Sequence, residues 1–181
     1  MIDTRGVIEM GDLLSHVLFA FAAFTVAGWA VSWLNRRWVA VGMVGAILPD
    51  LNEVGILVDE RVISETLALP FTWAPLHTLG GVLLLAAAGA MLFEEGSQRR
   101  RAFALLIAGG ISHLAIDGTK AWADGANGVS LYPFSWWRNP TPGLYVPADR
   151  RVVVLAIVVA GTVWLLDRFL LPVLRDEITT N

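Results

Sequence analysis

The run AFALLIAGGISHLAID, residues 102–117, sets a histidine and an aspartate four positions apart in otherwise apolar sequence. Within a lipid bilayer neither side chain comes without cost, and an ionisable residue inside a membrane-spanning helix marks a functional site by default. Whether this segment lies in a membrane therefore decides both the fold and the meaning of the pair.

Composition points to a membrane. Hydrophobic residues make up 56% of the 181-residue chain and mean hydropathy is +0.62, above the roughly 45–50% apolar share of soluble domains. Net charge is −3 and the basic residues are almost all arginine, so nothing points to nucleic-acid binding. There is no cysteine, which excludes disulfides and thiolate metal sites.

Outward from residues 102–117, further apolar runs recur. LLSHVLFAFAAFTVAGWAVSWL (13–34) is long enough to cross a hydrocarbon core of about 30 Å, which takes roughly 20 residues. Arg36 and Arg37 follow it, the reverse of signal-peptide order. WVAVGMVGAIL (38–48) runs on through a kink at Pro49 to residue 58; HTLGGVLLLAAAGAMLF (77–93) and VVVLAIVVAGTVWLLDRFLLPVL (152–174) complete the set, and the 102–117 run extends towards Trp122. The expected fold is all-α: one integral membrane domain, a polytopic transmembrane bundle of about five helices (13–34, 38–58, 77–93, 102–122 and 152–174) with a long outer loop between the last two.

Loop charge sets the expected orientation. Arg36 and Arg37 close the first helix and Arg99, Arg100 and Arg101 precede the fourth, whereas the second loop carries Asp50, Glu53, Asp59, Glu60 and Glu65 against one arginine. The positive-inside rule then puts the arginine loops in the cytoplasm, the N-terminus outside and the C-terminus inside a plasma membrane. Arg150 and Arg151 run against this, after a long loop where the rule is weaker.

With this topology the three histidines share one depth. His16 lies one turn into the first helix, His77 begins the third, His113 and Asp117 end the fourth, and Asp50 is carried outward by the second. Residues i and i+4 of a helix have Cβ atoms about 5–6 Å apart on one face, so His113 and Asp117 can reach one ion. Small residues beside them (Gly42, Gly45, Gly80, Gly81, Gly109 and Gly110) let membrane helices approach closely. Alone, an H-x-x-x-D pair more often simply hydrogen-bonds, and His16 could be a satisfied polar residue of the bundle; the whole constellation favours a metal site.

These residues resemble the YdjM-type family, whose members are described as membrane-bound metal-dependent hydrolases. The matching elements are SHVLFA (15–20), LPDLN (48–52), PLHTLGG (75–81), SHLAIDGT (112–119) and GVSLYPF (128–134). The resemblance implies His16, Asp50, His77, His113 and Asp117 as the polar set. Two departures stand out. Asn52 replaces the second aspartate of L-P-D-L-D, and Thr72 and Trp73 replace the first histidine and arginine of H-R-G-x-T-H-S. That leaves either a reduced site holding one metal or a relative that no longer catalyses.

The expected activity is hydrolysis of an ester or phosphodiester, with a lipid as candidate substrate, by a divalent metal recessed below the outer surface. Histidine nitrogens and carboxylate oxygens suit zinc, with manganese or iron as alternatives. His77, His113 and Asp117 lead as ligands, with His16 and Asp50 completing one site or forming a second. Such a metal lowers the pKa of bound water to about 7, and Asp50 or Glu53 is the candidate proton acceptor. The aromatic loop YPFSWWRNPTPGLYVP (132–147) would anchor in, or lie as a lid on, the outer leaflet, and Arg138 is a candidate phosphate partner. The competing expectation is a non-catalytic membrane protein, in which the cluster handles protons or metal ions or holds the bundle together.

Overall fold

The computed structural model describes the backbone of residues 4–147 and 149–170, and side chains from residue 12 onward. Among the described residues the regular structure is helical: α1 (Thr4–Ala30), α2 (Arg36–Gly45), α3 (Glu60–Leu67), α4 (Leu79–Ala90), α5 (Ser97–Asp117) and α6 (Arg150–Leu165). Short 3-10 segments, Leu48–Ile56 and Ala74–His77, join α2 to α3 and α3 to α4, and one π-turn, Leu166–Leu170, extends α6.

Among the described residues two helical stretches, Asp12–Ala30 and Arg150–Leu170, are long and apolar enough to cross a membrane. A third crossing exists if α2 and the Leu48–Ile56 segment form one span, although they bend by 47°. Residues 38–58, expected as one span, thus form two helical pieces and not a continuous helix. The break comes at Ala46 and Ile47, before the proline, because Pro49 has no N–H to donate and restricts the residue ahead of it. The chain re-enters helical geometry only as the tighter 3-10 form.

Other boundaries also move. α4 has 12 residues, about 18 Å at 1.5 Å per residue, shorter than the expected 77–93. Its start is set by Thr78, whose Oγ1 accepts from Gly81 N at 3.3 Å, and this leaves His77 in the preceding 3-10 turn. α5 has 21 residues, but its first turns carry Arg99–Arg101, and it stops at Asp117 rather than running to Trp122. Gly118 closes it, and the following chain is tied down by bonds from Leu144 N to Thr119 O and from Ala121 N to Tyr145 O. Residues 171–174 of the expected last span lie outside the described residues. α3 falls in what was expected to be loop; Asp59 caps it, accepting from Arg61 N at 2.9 Å.

α5 is the central rod, packed against α2 on one side and α4 on the other, while α1 packs against α2 and α6. The α2–α5 contact is backbone to backbone. A methyl group at Gly109 would collide with Gly42 O and Ala46 N, and one at Gly45 would sit 2.5 Å from Leu106 O. Glycine is the residue that permits this approach. Its consequence is local: it carries the carbonyl of Ala46, at the broken end of α2, into reach of α5.

Candidate metal centre

Four chain segments deliver polar side chains to one end of the bundle. His16 comes from the middle of α1, about three turns in rather than the one turn expected, because the helix already begins at Thr4, and Asp50 comes from the 3-10 segment after α2. His77 comes from the turn before α4, and His113 and Asp117 from the last turn of α5. His16, His113 and Asp117 are buried, with 1%, 1% and 2% of their surface exposed, whereas His77 and Asp50 are half-buried. The cluster is therefore closed on the α1 side and open on the Asp50–His77 side.

Asp117 is the hub. Its Oδ2 lies 2.8 Å from His77 Nε2 and 3.4 Å from His113 Nε2, and its Oδ1 lies 3.1 Å from His16 Nε2. Asp50 Oδ1 is 3.3 Å from His113 Nε2 and 3.8 Å from His77 Nδ1. The His16 and His113 rings stack with centroids 3.8 Å apart at 20°. Two triplets, His16–His113–Asp117 and Asp50–His77–His113, can each offer ligand atoms within 4.8 Å of one another. The five residues expected to share one depth are thus brought together, and the two triplets meet at His113.

The tautomer of His113 follows from its partner. A carbonyl can only accept, so Ala46 O, 2.8 Å away, takes the Nδ1–H. In the neutral ring Nε2 then carries the lone pair, and this nitrogen is buried, with no hydrogen bond, facing carboxylate oxygens at 3.3 and 3.4 Å. Three acceptors converging in a low-dielectric site repel one another unless a cation sits among them. Tetrahedral coordination with bonds of roughly 2.0–2.1 Å places ligand atoms about 3.3 Å apart. The separations around His113 Nε2 match that spacing, so the donor set fits a small divalent ion. His77 is similarly placed, with Pro49 O 3.3 Å from Nδ1 and Asp117 Oδ2 at Nε2. A neutral imidazole has only one N–H for these two acceptors.

Two residues absent from the sequence-based set complete the site. Lys120 Nζ lies 2.5 Å from Asp117 Oδ1 and 2.6 Å from Asp12 Oδ2, with only 5% of the residue exposed. Asp12 Oδ1 is 3.9 Å from His16 Nε2, one helical turn away. Three carboxylates against one ammonium leave two negative charges to be balanced when the histidines are neutral.

A family model described as YdjM inner membrane protein matches residues 10–174. The chain belongs to this family. No curated protein and no solved structure matches it. YdjM membership and the long apolar helices together make it a membrane protein, and the matched region contains every residue of the cluster. At Asn52, where the aspartate of the YdjM-type pattern is missing, the side-chain oxygen is buried without a hydrogen-bond partner. Glu53 is exposed on the same 3-10 segment, three residues beyond Asp50. Side chains at i and i+3 of a 3-10 helix eclipse one another, so both acids lie on one face.

The 118–150 loop is docked rather than loose. Leu79 N donates to Ser130 O and Gly80 N to Tyr132 O, both at 2.8 Å, fastening the loop over the start of α4. Its large apolar side chains point outward, with Phe134 70% and Trp136 74% exposed; this arrangement suits an interfacial anchor more than a lid closed on the cluster. Arg138 is already engaged, with Nη2 2.6 Å from Asp124 Oδ2, and its guanidinium holds the Asp124 carboxyl below the usual carboxylate range. The expected phosphate partner therefore has an internal anion instead.

Proposed function

We propose that this protein is a membrane-embedded metal-dependent hydrolase that cleaves an ester or phosphodiester of an amphiphile at the outer membrane face. The observation that carries the reading is the buried Nε2 of His113, without a hydrogen-bond partner, between two carboxylates. In this reading the chain forms five spans, with the broken α2 pair, the short α4 and α5 completing the bundle between α1 and α6.

His113, Asp117, Asp50 and His77 would hold one divalent ion, zinc by its preference for mixed nitrogen and oxygen donors, with manganese or iron as alternatives. When bound, such an ion supplies Lewis-acid polarisation of the scissile group and lowers the pKa of a water. The chain does the rest. Ala46 O orients the His113 ring and Pro49 O the His77 ring, each from its Nδ1 side. Glu53, one 3-10 turn beyond Asp50 towards solvent, accepts the proton of the attacking water. Asp50 and His77 admit the substrate because theirs is the open side. The exposed apolar residues of the neighbouring segments, Ile56, Leu57 and Leu69, together with Trp136 and Trp137, suit a substrate presented by the lipid surface.

Metal content and turnover test this together. Protein purified in mild detergent and loaded with zinc or manganese is expected to retain the metal and to hydrolyse a phospholipid or a generic aryl phosphodiester. Glu53→Gln should keep the metal while turnover falls by about 100-fold or more, the usual scale for loss of a general base. Absence of metal after loading overturns the hydrolase reading in favour of a purely structural polar cluster. Retained metal with no turnover on any ester leaves a metal-handling protein.

Orientation is tested separately. The chain has no cysteine of its own, so single exposed positions can be labelled. Thr72→Cys is expected to react with a membrane-impermeant maleimide added to intact cells, and Ser97→Cys only after lysis. The reverse pattern would put the cluster on the cytoplasmic side.

A further inference from the structure

Lys120 is the only lysine in the chain, against twelve arginines, and it is buried in the cluster. We propose that its ammonium is a built-in cation that fills a second cation position, so that the chain takes a single divalent ion, held on the Asp50–His77 side of His113. This rests on the metal reading above and adds the number of ions and the reason for it.

The geometry is that of a two-cation site with one place already taken. In two-metal hydrolases a carboxylate commonly gives one oxygen to each ion, the ions lying about 3.5–4 Å apart. Asp117 is disposed in that manner. Its Oδ2 faces His77 and His113, and its Oδ1 faces the ammonium of Lys120 at 2.5 Å and His16 at 3.1 Å. On the Oδ1 side the potential ligands are complete: Asp117, Asp12 and His16, the last 1% exposed with neither ring nitrogen in a hydrogen bond. His16, Asp117 and His113 are themselves one of the two metal-competent triplets. Nζ stands on two of those ligand oxygens, at 2.5 and 2.6 Å.

The lysine is held there by the chain. Its backbone N donates to Asp117 O at 3.1 Å as the helix ends, and the next residue's N is bound by Tyr145 O at 2.7 Å. With 6% of its side chain exposed, it cannot swing away without the loop lifting. Charge agrees with one ion. Asp12, Asp50 and Asp117 less Lys120 leave a double negative charge, which one divalent cation neutralises and two would overshoot inside a low-dielectric site. His113 allows the same count, because its single lone pair can serve only one ion.

The test is stoichiometry. Metal-stripped protein in mild detergent is titrated with Co²⁺, followed by its visible absorption, and zinc content is measured after reloading and desalting. Wild type and Lys120→Arg are expected to bind one ion per chain. Lys120→Met and Lys120→Ala, checked for helix content by circular dichroism, are expected to bind a second. His16→Ala in the wild-type background is expected to keep its one ion with less than about a threefold change in affinity. Two ions in wild type, a single ion in the folded Lys120 variants, or loss of the ion in His16→Ala would overturn the inference while leaving the metal centre standing. No ion in any of these proteins would overturn the metal reading, and this inference with it. Should both neutral variants fail to fold, the wild-type count and His16→Ala still decide.

Discussion

Asp117→Asn is expected to have the largest effect of any single change: loss of bound metal together with a thermal midpoint in detergent lower by about 10 °C. The amide keeps the shape of the carboxylate but removes the charge that faces His77, His113 and Lys120. Lys120 would remain buried with Asp12 as its one ion-pair partner. Removing one member of a buried ion pair costs about 3–5 kcal/mol, because the remaining charge is left uncompensated, and each kcal/mol moves the midpoint of a chain this size by roughly 2–4 °C. The double change Asp117→Asn with Lys120→Met should recover at least half of the lost stability but none of the metal. Circular dichroism melts and elemental analysis of the single and double variants check both halves. A single variant that melts like wild type would mean that Asp117 is not the electrostatic hub of the cluster.

His113→Ala is expected to abolish stable metal retention and to cost about 2–4 kcal/mol by a different route. The substitution orphans the buried carbonyl of Ala46, a penalty of about 1–3 kcal/mol, and opens a void beside the stacked His16 ring. Chelator competition should show affinity reduced by about 100-fold or more, since His113 is the one residue common to both ligand triplets. Affinity within a factor of three of wild type would place the ion elsewhere. The two variants differ in their response to Lys120→Met, which should restore stability to Asp117→Asn and not to His113→Ala.

The sequence disclosed most of the cluster through position rather than motif. Alternating helix directions bring His16, Asp50, His77, His113 and Asp117 to one end, and the distances confirm that these five converge. The long apolar helices α1 and α6 were also legible, because length and hydropathy are additive along a chain. Breaks are not additive. The bend after α2 and the shortness of α4 come from a proline two or three residues downstream and from a capping threonine, and an apolar run looks continuous across both. Extending α5 towards Trp122 hid Lys120, which works from a non-helical position folded back on the helix end. Two signals could have exposed the missing pair. Asp12 stands four residues before His16, the same spacing that singled out His113 and Asp117, and a lone lysine in an arginine-rich chain is itself an anomaly.

The acceptors at Nδ1 of His77 and His113 are the main-chain oxygens of Pro49 and Ala46, which flank the interruption, Ala46 capping α2 and Pro49 opening the 3-10 segment that follows. A side-chain scan would therefore pass over the groups that decide which imidazole nitrogen stays basic, since no replacement at Ala46 or Pro49 deletes a peptide carbonyl. What such a scan would reveal instead is sensitivity at residues that straighten the interruption. In this molecule the discontinuity in the rod is itself a working part, and mending it into a regular helix would disarm the cluster with every ligand still in place.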